Sequence, residues 1–192
     1  QRLVQRATGI HFRTKQSGKM HQVKVIDLPY GKFRDKGVPI DNVSNYSSSD
    51  EQIVSVYDSE QMRFAMLLFS TAQGMVKKVS GSEFQVAKRT ILATKLQEED
   101  SLVDVRVVNE NKHVVLQTKN GYFLRFPATE VPIKKKAAVG VRGIRLQKKD
   151  ELEKVYLFEE GTETKILYNE KEVSLNRLKT AKRDGAGTKA RK

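Results

Sequence analysis

Apolar and polar residues alternate in short runs along most of the chain, which is typical of β-strands. The clearest case is Val114–Thr118, which is followed by the turn Lys119–Gly121 and a second apolar run, Tyr122–Phe126. Gly121 suits the positive φ that such a turn requires. The stretch predicts a β-hairpin, and Pro132 ends the extended region because proline has no amide hydrogen to donate.

The same criteria predict further strands along the chain. They are Gly9–Thr14, Lys19–Leu28, Ile53–Tyr57, Ala65–Thr71, Met75–Val79, Ile91–Leu96, Leu102–Val108, Lys165–Tyr168 and Lys171–Leu175. Residues 1–8 are expected to be irregular. Helical signals are weak, and in the best candidate, 170–181, the repeat described next favours a strand instead.

The hairpins recur at a regular spacing. Thr71–Gly74 matches Thr118–Gly121, 47 residues later, and Asp100–Leu102 matches Asp150–Leu152, 50 residues later. A fourth copy starts at Lys165. A period near 50 residues with several strands per copy indicates a propeller-like array, in which each small sheet packs on its neighbours. We predict one all-β domain over residues 1–192, an open or truncated array with approximate repeats 9–60, 61–108, 109–158 and 159–192.

Composition narrows the class of protein. Hydrophobic residues make up 38% of the 192 residues, which is enough for a packed core. The chain has no cysteine, so neither disulfides nor thiolate metal sites are expected. No apolar run is long enough for a membrane span, and the first residues lack the apolar segment of a signal peptide. A cytoplasmic protein without a membrane partner is the expectation.

Charge suggests the partner. The formal net charge of +13 attracts polyanions, of which nucleic acid is the commonest in a cell, although an acidic protein would also fit. The cations follow the repeat, so equivalent positions should place them on one continuous stripe and the acids on another. The candidate DNA-binding residues are Lys19, Lys32, Arg34, Lys36, Lys77, Lys78, Lys88, Arg89, Arg125, Lys134, Lys135, Lys136, Arg142, Arg145, Lys182 and Arg183.

Three features of the chain are specific enough to compare with known proteins. They are the repeated hairpin (LLFSTAQGMVKKV and VVLQTKNGYFLRF), the Glu-Val-Pro after its second copy, and the segment AVGVRGI at 138–144. They resemble the C-terminal domain of the A subunit of bacterial type IIA topoisomerases, which are DNA gyrase and topoisomerase IV. Residues 18–29 and 36–40 resemble an earlier repeat of the same domain.

The resemblance implies a fold and a function. The fold would be a β-pinwheel, whose blades exchange strands with their neighbours. The function would be non-catalytic binding and bending of double-stranded DNA around a basic rim, with little sequence specificity because phosphates carry no code. The parent would be a nucleoid-associated, ATP-dependent topoisomerase, in which the domain has two protein partners, the ATPase B subunit and the catalytic core of its own polypeptide. The Gln-Arg-Arg-Gly-Gly-Lys-Gly box of gyrase is absent here, which favours topoisomerase IV.

Other functions have less support. A propeller that contacts an acidic protein or the catalytic core is the main alternative. The histidines are scattered, and His11 and His21 could face each other across the first hairpin as a solvent-exposed pair rather than a metal site. No nucleophile or phosphate-loop motif appears, so we predict no catalytic residue, metal or cofactor. Gly140 and Gly143 are expected in tight turns, with close approach of a phosphate as the alternative.

Overall fold

The computed structural model describes residues 6–11, 18–32 and 34–190. Its strands form four antiparallel sheets, which are named here in chain order. The first sheet contains β1 (Arg6–His11), β2 (Lys19–Lys24), β3 (Ile53–Asp58) and β6 (Thr90–Leu92) in the order β3-β1-β2-β6. The second contains β4 (Met66–Thr71), β5 (Met75–Ser80), β7 (Leu102–Val108) and β10 (Val141–Arg142) in the order β10-β5-β4-β7.

The last two sheets continue the arrangement. The third contains β8 (Lys112–Thr118), β9 (Tyr122–Pro127), β11 (Leu152–Glu159) and β14 (Thr188–Lys189) in the order β11-β8-β9-β14. The fourth is the hairpin β12 (Lys165–Tyr168) and β13 (Lys171–Ser174). One short helix, α1 (Ser59–Arg63), joins β3 to β4, and the Asp58 carboxylate caps it by accepting hydrogen bonds from the Glu60 and Gln61 amides.

Each of the first three sheets receives a strand from the repeat that follows it. A hairpin forms its centre, the next strand in the repeat pairs with one side, and β6, β10 or β14 pairs with the other. These three short strands come after the hairpins of the second, third and fourth repeats, respectively. The exchange makes this all-β fold a pinwheel, as the resemblance implied, and it ties each sheet to its successor by backbone hydrogen bonds.

Hydrophobic clusters lie between successive sheets. Met20 of the first sheet packs with Phe69 of the second, and Leu68 of the second packs with Phe126 of the third. Phe123, on the other side of the third sheet, packs with the fourth. The second and third sheets are therefore covered on both faces, and a polar side chain on either face of their hairpins is buried.

Most predicted strands are present, with three corrections. The strand predicted over Lys19–Leu28 ends at Lys24, where residues 25–27 form a 3-10 turn, and the one predicted over Ile91–Leu96 covers only Thr90–Leu92. The chain is extended already from Arg6, although an irregular start was expected, and Gly9–Thr14 is described only to His11. The prediction missed α1, whose five residues are too few for a periodic pattern.

A buried aspartate holds each of the two best-matched hairpin turns. Asp100 Oδ1 accepts hydrogen bonds from the amides of Gln73 (2.9 Å) and Ser101 (2.8 Å). Asp150 Oδ1 does the same for Asn120 (3.0 Å) and Glu151 (2.9 Å). The recurring Asp of the sequence is therefore structural, because it joins the turn of a hairpin to the start of the next strand.

Asp100→Ala is expected to lower the free energy of unfolding by about 2 kcal/mol, because two amides lose their acceptor beside a fully buried side chain. Chemical denaturation followed by circular dichroism measures the loss. Glu98→Ala is the matched control, since the Glu98 side chain is exposed and should change stability by less than about 0.5 kcal/mol. Equal stability of the two variants would contradict the role given to Asp100.

Within the described part of the chain, no helix has the length and apolar character needed to cross a membrane.

Candidate nucleic-acid interface

Three segments connect the hairpin of one repeat to the short strand (β6, β10 or β14) that pairs with the preceding sheet. We call these segments crossovers. The first crossover is 85–89, the second is 132–140 and the third is 178–187. The second and third run parallel to the second hairpin strand of the preceding sheet, through bridges between Lys78 and Ile133 and between Arg125 and Thr180. The first also lies beside such a strand, since the Gln22 amide of β2 donates to the Arg89 carbonyl. All three crossovers therefore lie beside the second hairpin strand of the preceding sheet.

Many predicted cations lie on these crossovers or directly beside them. Lys88 and Arg89 belong to the first crossover, Lys134–Lys136 to the second, and Lys182 and Arg183 to the third. Arg142 lies in β10, and Arg145 follows it. Lys32, Arg34 and Lys36 lie in the loop 28–39, which follows the hairpin of the first sheet as the crossovers follow theirs. The repeat therefore places basic residues at corresponding points along the array.

Most of these side chains are open to solvent. The exposed cations are Lys19, Lys32, Arg34, Lys36, Lys88, Arg89, Lys135, Arg142, Arg145 and Lys182, whereas Lys134, Lys136 and Arg183 are partly buried. Exposure leaves the first group able to contact an anion. Lys19 differs from the others because it lies on β2 rather than on a crossover or a loop.

Carboxylates accompany part of this surface. Lys135 lies 3.6 Å from Glu83, Arg89 lies 3.3 Å from Asp27, and Lys19 lies 3.9 Å from Glu51. Arg142 binds Asp184 through both Nε and Nη2, and this hydrogen bonding lowers the pKa of the Asp184 carboxyl and raises the pKa of Arg142. The acids are therefore interleaved with the cations rather than gathered on a separate stripe. In the Arg89–Asp27 pair both side chains are exposed, and such a pair is weak enough for a phosphate to compete.

Nine of the predicted cations that remain accessible form no ion pair with a described residue. Two of them, Lys136 and Arg183, donate hydrogen bonds to the carbonyls of Glu83 and Glu130 instead, which leaves seven. They are Lys32, Arg34, Lys36, Lys88, Lys134, Arg145 and Lys182, and none of them forms an ion pair with a residue that the structure describes. We call this set the unpaired cations. They lie on the loop 28–39, on all three crossovers and, in the case of Arg145, just after β10.

Three of the cations predicted to bind DNA are buried, which contradicts that role. Lys77 is 2% exposed, Lys78 5% and Arg125 7%. Strand alternation does point Arg125 away from Leu124 and Phe126, but the fourth sheet covers that second face. A strand with both faces covered cannot offer these side chains to a large ligand, so we remove them from the interface.

Arg125 instead holds the start of the third crossover. Its Nη1 donates hydrogen bonds to the carbonyls of Asn176 (2.6 Å) and Leu178 (3.2 Å), and its Nε donates to His113 Nδ1 (3.1 Å). Its guanidinium also stacks over the Phe158 ring, 5.1 Å from the centroid. Gln22, at the corresponding position of the first sheet, donates to the carbonyls of Val86 and Lys88 in the first crossover.

Lys77 holds the second crossover. Its ammonium donates hydrogen bonds to the carbonyls of Lys135 (3.3 Å), Lys136 (2.8 Å) and Ala138 (2.7 Å), and it lies 5.5 Å from the Phe69 ring centroid. Burial lowers the pKa of Lys77 to about 8, the nearby charge of Glu83 opposes this shift, and Lys134 adds to it.

Glu83 and Glu130, which follow the hairpins of the second and third sheets, also bind the second and third crossovers, respectively. Glu83 Oε2 accepts from the Lys136 amide, and the Lys136 ammonium donates back to the Glu83 carbonyl (2.7 Å). Glu130 Oε2 accepts from the Arg183 amide, and Arg183 Nε donates back to the Glu130 carbonyl. The sequence shows the repeated Glu, but the reciprocal bond to a cation 53 residues away becomes visible only in the fold.

The chain is similar to known proteins in sequence and in fold. A family model described as the DNA gyrase C-terminal domain, a beta-propeller, matches residues 65–109 and 112–159, which include the hairpins of the second and third sheets. The DNA gyrase A protein of Lawsonia intracellularis is 34% identical over 150 residues, which cover 77% of this chain and 18% of that protein. Its counterpart in Deinococcus deserti is 36% identical over 142 residues, covering 71% and 17%.

A solved structure extends the match over nearly the whole chain. The C-terminal domain of DNA topoisomerase IV superposes with a TM-score of 0.86 at 25% identity, covering 96% of this chain and 58% of that one. The chain belongs to the DNA gyrase C-terminal domain family. It spans less than a fifth of the gyrase A proteins that it matches. The resemblance found in the sequence is confirmed, and the choice of topoisomerase IV over gyrase as the parent stays a prediction.

Two of the three glycines expected in turns, Gly140 and Gly143, have a different structural role. Gly121 does turn its hairpin with a positive φ of +79°. Gly140, however, lies against β5, where a Cβ would come within 2.7 Å of the Val76 carbonyl oxygen, and Gly143 lies against the Val76 side chain. Both allow the strand exchanged from the third repeat to approach the second sheet, and neither has the positive φ that Gly121 has.

The histidine prediction is also corrected. The register of β1 and β2 places His21 opposite Gly9 rather than His11. His21 is buried, with Nδ1 3.0 Å from the Thr90 hydroxyl and Nε2 3.0 Å from a Glu51 carboxylate oxygen. Thr90 belongs to the exchanged strand β6, so His21 joins two repeats. Among the residues that the structure describes, no group of three or more His, Asp or Glu side chains is arranged to hold a metal ion.

Proposed function

We propose that this domain binds double-stranded DNA along the loop 28–39 and the three crossovers, and that the DNA bends to follow them. The observation that carries the proposal is the recurrence of exposed cations at one structural position in successive repeats. Cations repeated at one structural position suit the regular spacing of phosphates along a duplex. The unpaired cations are the primary contacts, and Arg89, Lys135 and Arg142 add to them if phosphate displaces their carboxylates.

The contacts would fix the path of the DNA without reading its sequence. Phosphates carry no base code, and the only α-helix in the described residues, α1, has five residues, too few for a recognition helix. Sequence preference would then come from how easily a given DNA bends.

The family suggests the setting for this activity. The matched relatives are DNA gyrase A proteins, so we propose that the domain holds DNA beside the catalytic core of its own polypeptide, with an ATPase B subunit completing an ATP-dependent topoisomerase. Such an enzyme works on the nucleoid in the cytoplasm. The domain itself supplies binding and no catalytic residue.

Titration of the domain with a fluorescent duplex tests the proposal. Neutralising Z phosphates gives a slope of log K against log salt near −0.9Z, so four or more contacts predict a loss of at least about 100-fold between roughly 50 and 200 mM salt. Duplexes of unrelated sequence should bind within about threefold of each other at equal flexibility. Absence of binding at the lower salt concentration would refute the proposed function.

A further inference from the structure

We infer that Lys77, although buried, is a positioning residue for the interface: its ammonium holds the second crossover in the conformation that presents Lys134 and Lys135. This inference rests on the proposed function and identifies what controls part of the site. The side chain is 2% exposed, so it contributes no direct contact to a duplex.

The hydrogen bonds of Lys77 carry the argument. Its three acceptors are backbone carbonyls within four consecutive residues, Lys135–Ala138, and all lie within 3.3 Å of Nζ. An ammonium has three hydrogens, so this geometry uses all of its donors. Between Lys134 and Val141 the crossover has one backbone hydrogen bond to itself, from the Ala138 amide to the Lys135 carbonyl. The Lys77 ammonium therefore supplies a large part of what orders this segment.

The repeat shows that the position is not required for the hairpin itself. Leu124 occupies the corresponding place 47 residues later, and it packs against Gly185 of the third crossover, the counterpart of Ala138. An apolar residue is therefore compatible with the strand. The second crossover, however, has a charge-assisted hydrogen-bonded anchor where the third has an apolar one.

The protonation state of Lys77 should therefore alter the interface. The charged groups that face it are Glu83, which ends its own hairpin, and Lys134 in the crossover, and the buried Asp100 lines the same small cavity. Since burial lowers the pKa of Lys77 to about 8, a rise in pH through this value removes one donor and the charge. The crossover should loosen, and affinity for DNA should fall.

A rise in pH should change the free energy of unfolding and the affinity for DNA in opposite directions. In the unfolded chain Lys77 keeps its proton up to its ordinary pKa of 10.5, whereas in the folded domain it loses the proton near 8. The unfolded state thus holds more protons between these values, and the free energy of unfolding rises with pH in that window through this group. Binding and stability should therefore change in opposite directions, which a general loss of structure would not produce.

Lys77→Met tests the inference with Lys78→Met as the matched control. The two lysines are neighbours on β5 and carry the same charge, but no described residue accepts a hydrogen bond from the Lys78 ammonium. Lys77→Met should bind duplex DNA about tenfold more weakly at neutral pH, with a salt slope shallower by about one to two. Lys78→Met should change affinity by less than about threefold.

Two further readouts separate positioning from other effects. Wild-type affinity should fall between about pH 7 and pH 9.5, and Lys77→Met should lack this step. Hydrogen exchange of the Lys136 and Ala138 amides should accelerate in Lys77→Met without DNA. Equal loss of affinity in both variants, or wild-type affinity and slope in Lys77→Met, would overturn the inference.

The experiment distinguishes failure of the proposed DNA binding from failure of the role given to Lys77. If the wild-type domain binds no DNA, the proposed function is refuted and the inference falls with it. If the wild type binds, and Lys77→Met exchanges faster but binds equally well, only the inference is overturned.

Discussion

Replacing the seven unpaired cations with glutamine should lower the affinity of the domain for duplex DNA by about 100- to 1,000-fold near 100 mM salt, because each lost phosphate contact removes released counterions. The substitutions are at Lys32, Arg34, Lys36, Lys88, Lys134, Arg145 and Lys182. The slope of log K against log salt should become shallower by roughly one for each side chain that contacts phosphate. Fluorescence anisotropy over a range of salt concentrations measures both quantities.

The control removes the same charge elsewhere. The control set is seven other cations that lie outside the crossovers and the loop 28–39 and form no ion pair with a described residue. They are Arg63, Lys95, Lys112, Lys148, Lys149, Lys154 and Lys171. Replacing these with glutamine should reduce affinity by less than about tenfold, through the long-range field alone. Equal effects of the two sets would show that net charge, and not the crossovers, binds DNA. Full affinity after the first set would favour the alternative in which the basic surface meets an acidic protein.

Gly140→Ala should lower the free energy of unfolding by about 2–3 kcal/mol, because a methyl group there overpacks the contact between the second crossover and β5. The new Cβ would lie 2.7 Å from the Val76 carbonyl oxygen and 3.0 Å from its carbon, and neither backbone atom can move without disturbing the second sheet. The exchanged strand β10 should separate first. Denaturation curves measure the loss, and hydrogen exchange at Gly143, whose amide donates to the Gly74 carbonyl, locates it.

Gly37→Ala is the matched control for this change. Gly37 lies in the loop 28–39, and no atom lies within 4 Å of a Cβ placed there. The variant should match the wild type within about 0.5 kcal/mol and bind DNA normally. A Gly140→Ala protein as stable as Gly37→Ala would show that the crossover does not need its close approach to β5.

The sequence predicted the fold well because its signals are local. Alternation in stretches such as Val114–Thr118 and the glycine of the following turn fix a hairpin within about a dozen residues. The match between Asp100 and Asp150 then extended one hairpin into an array. The boundaries were less accurate where the chain leaves a sheet, as at Lys24, since the end of a strand depends on whether a neighbour is there to pair with it.

The candidate site was predicted less well, for a reason visible in Lys77, Lys78 and Arg125. In a sheet with one open face, a cation on a strand usually faces water. Here the neighbouring sheets cover both faces of β5 and β9, and strand alternation says only which face a side chain is on, not what covers it. Most of the crossover cations are exposed, since loops that follow hairpins remain at the surface, and their contact with DNA stays a prediction.

By itself, the sequence determined that this protein is a repeated array of basic β-hairpins, because strand period, turn residues and charge are properties of short segments. Only the tertiary structure decided which cations a ligand can reach and which hold the chain together. That division depends on contacts between residues such as Lys77 and Ala138, which are 61 positions apart and meet only when successive repeats exchange strands.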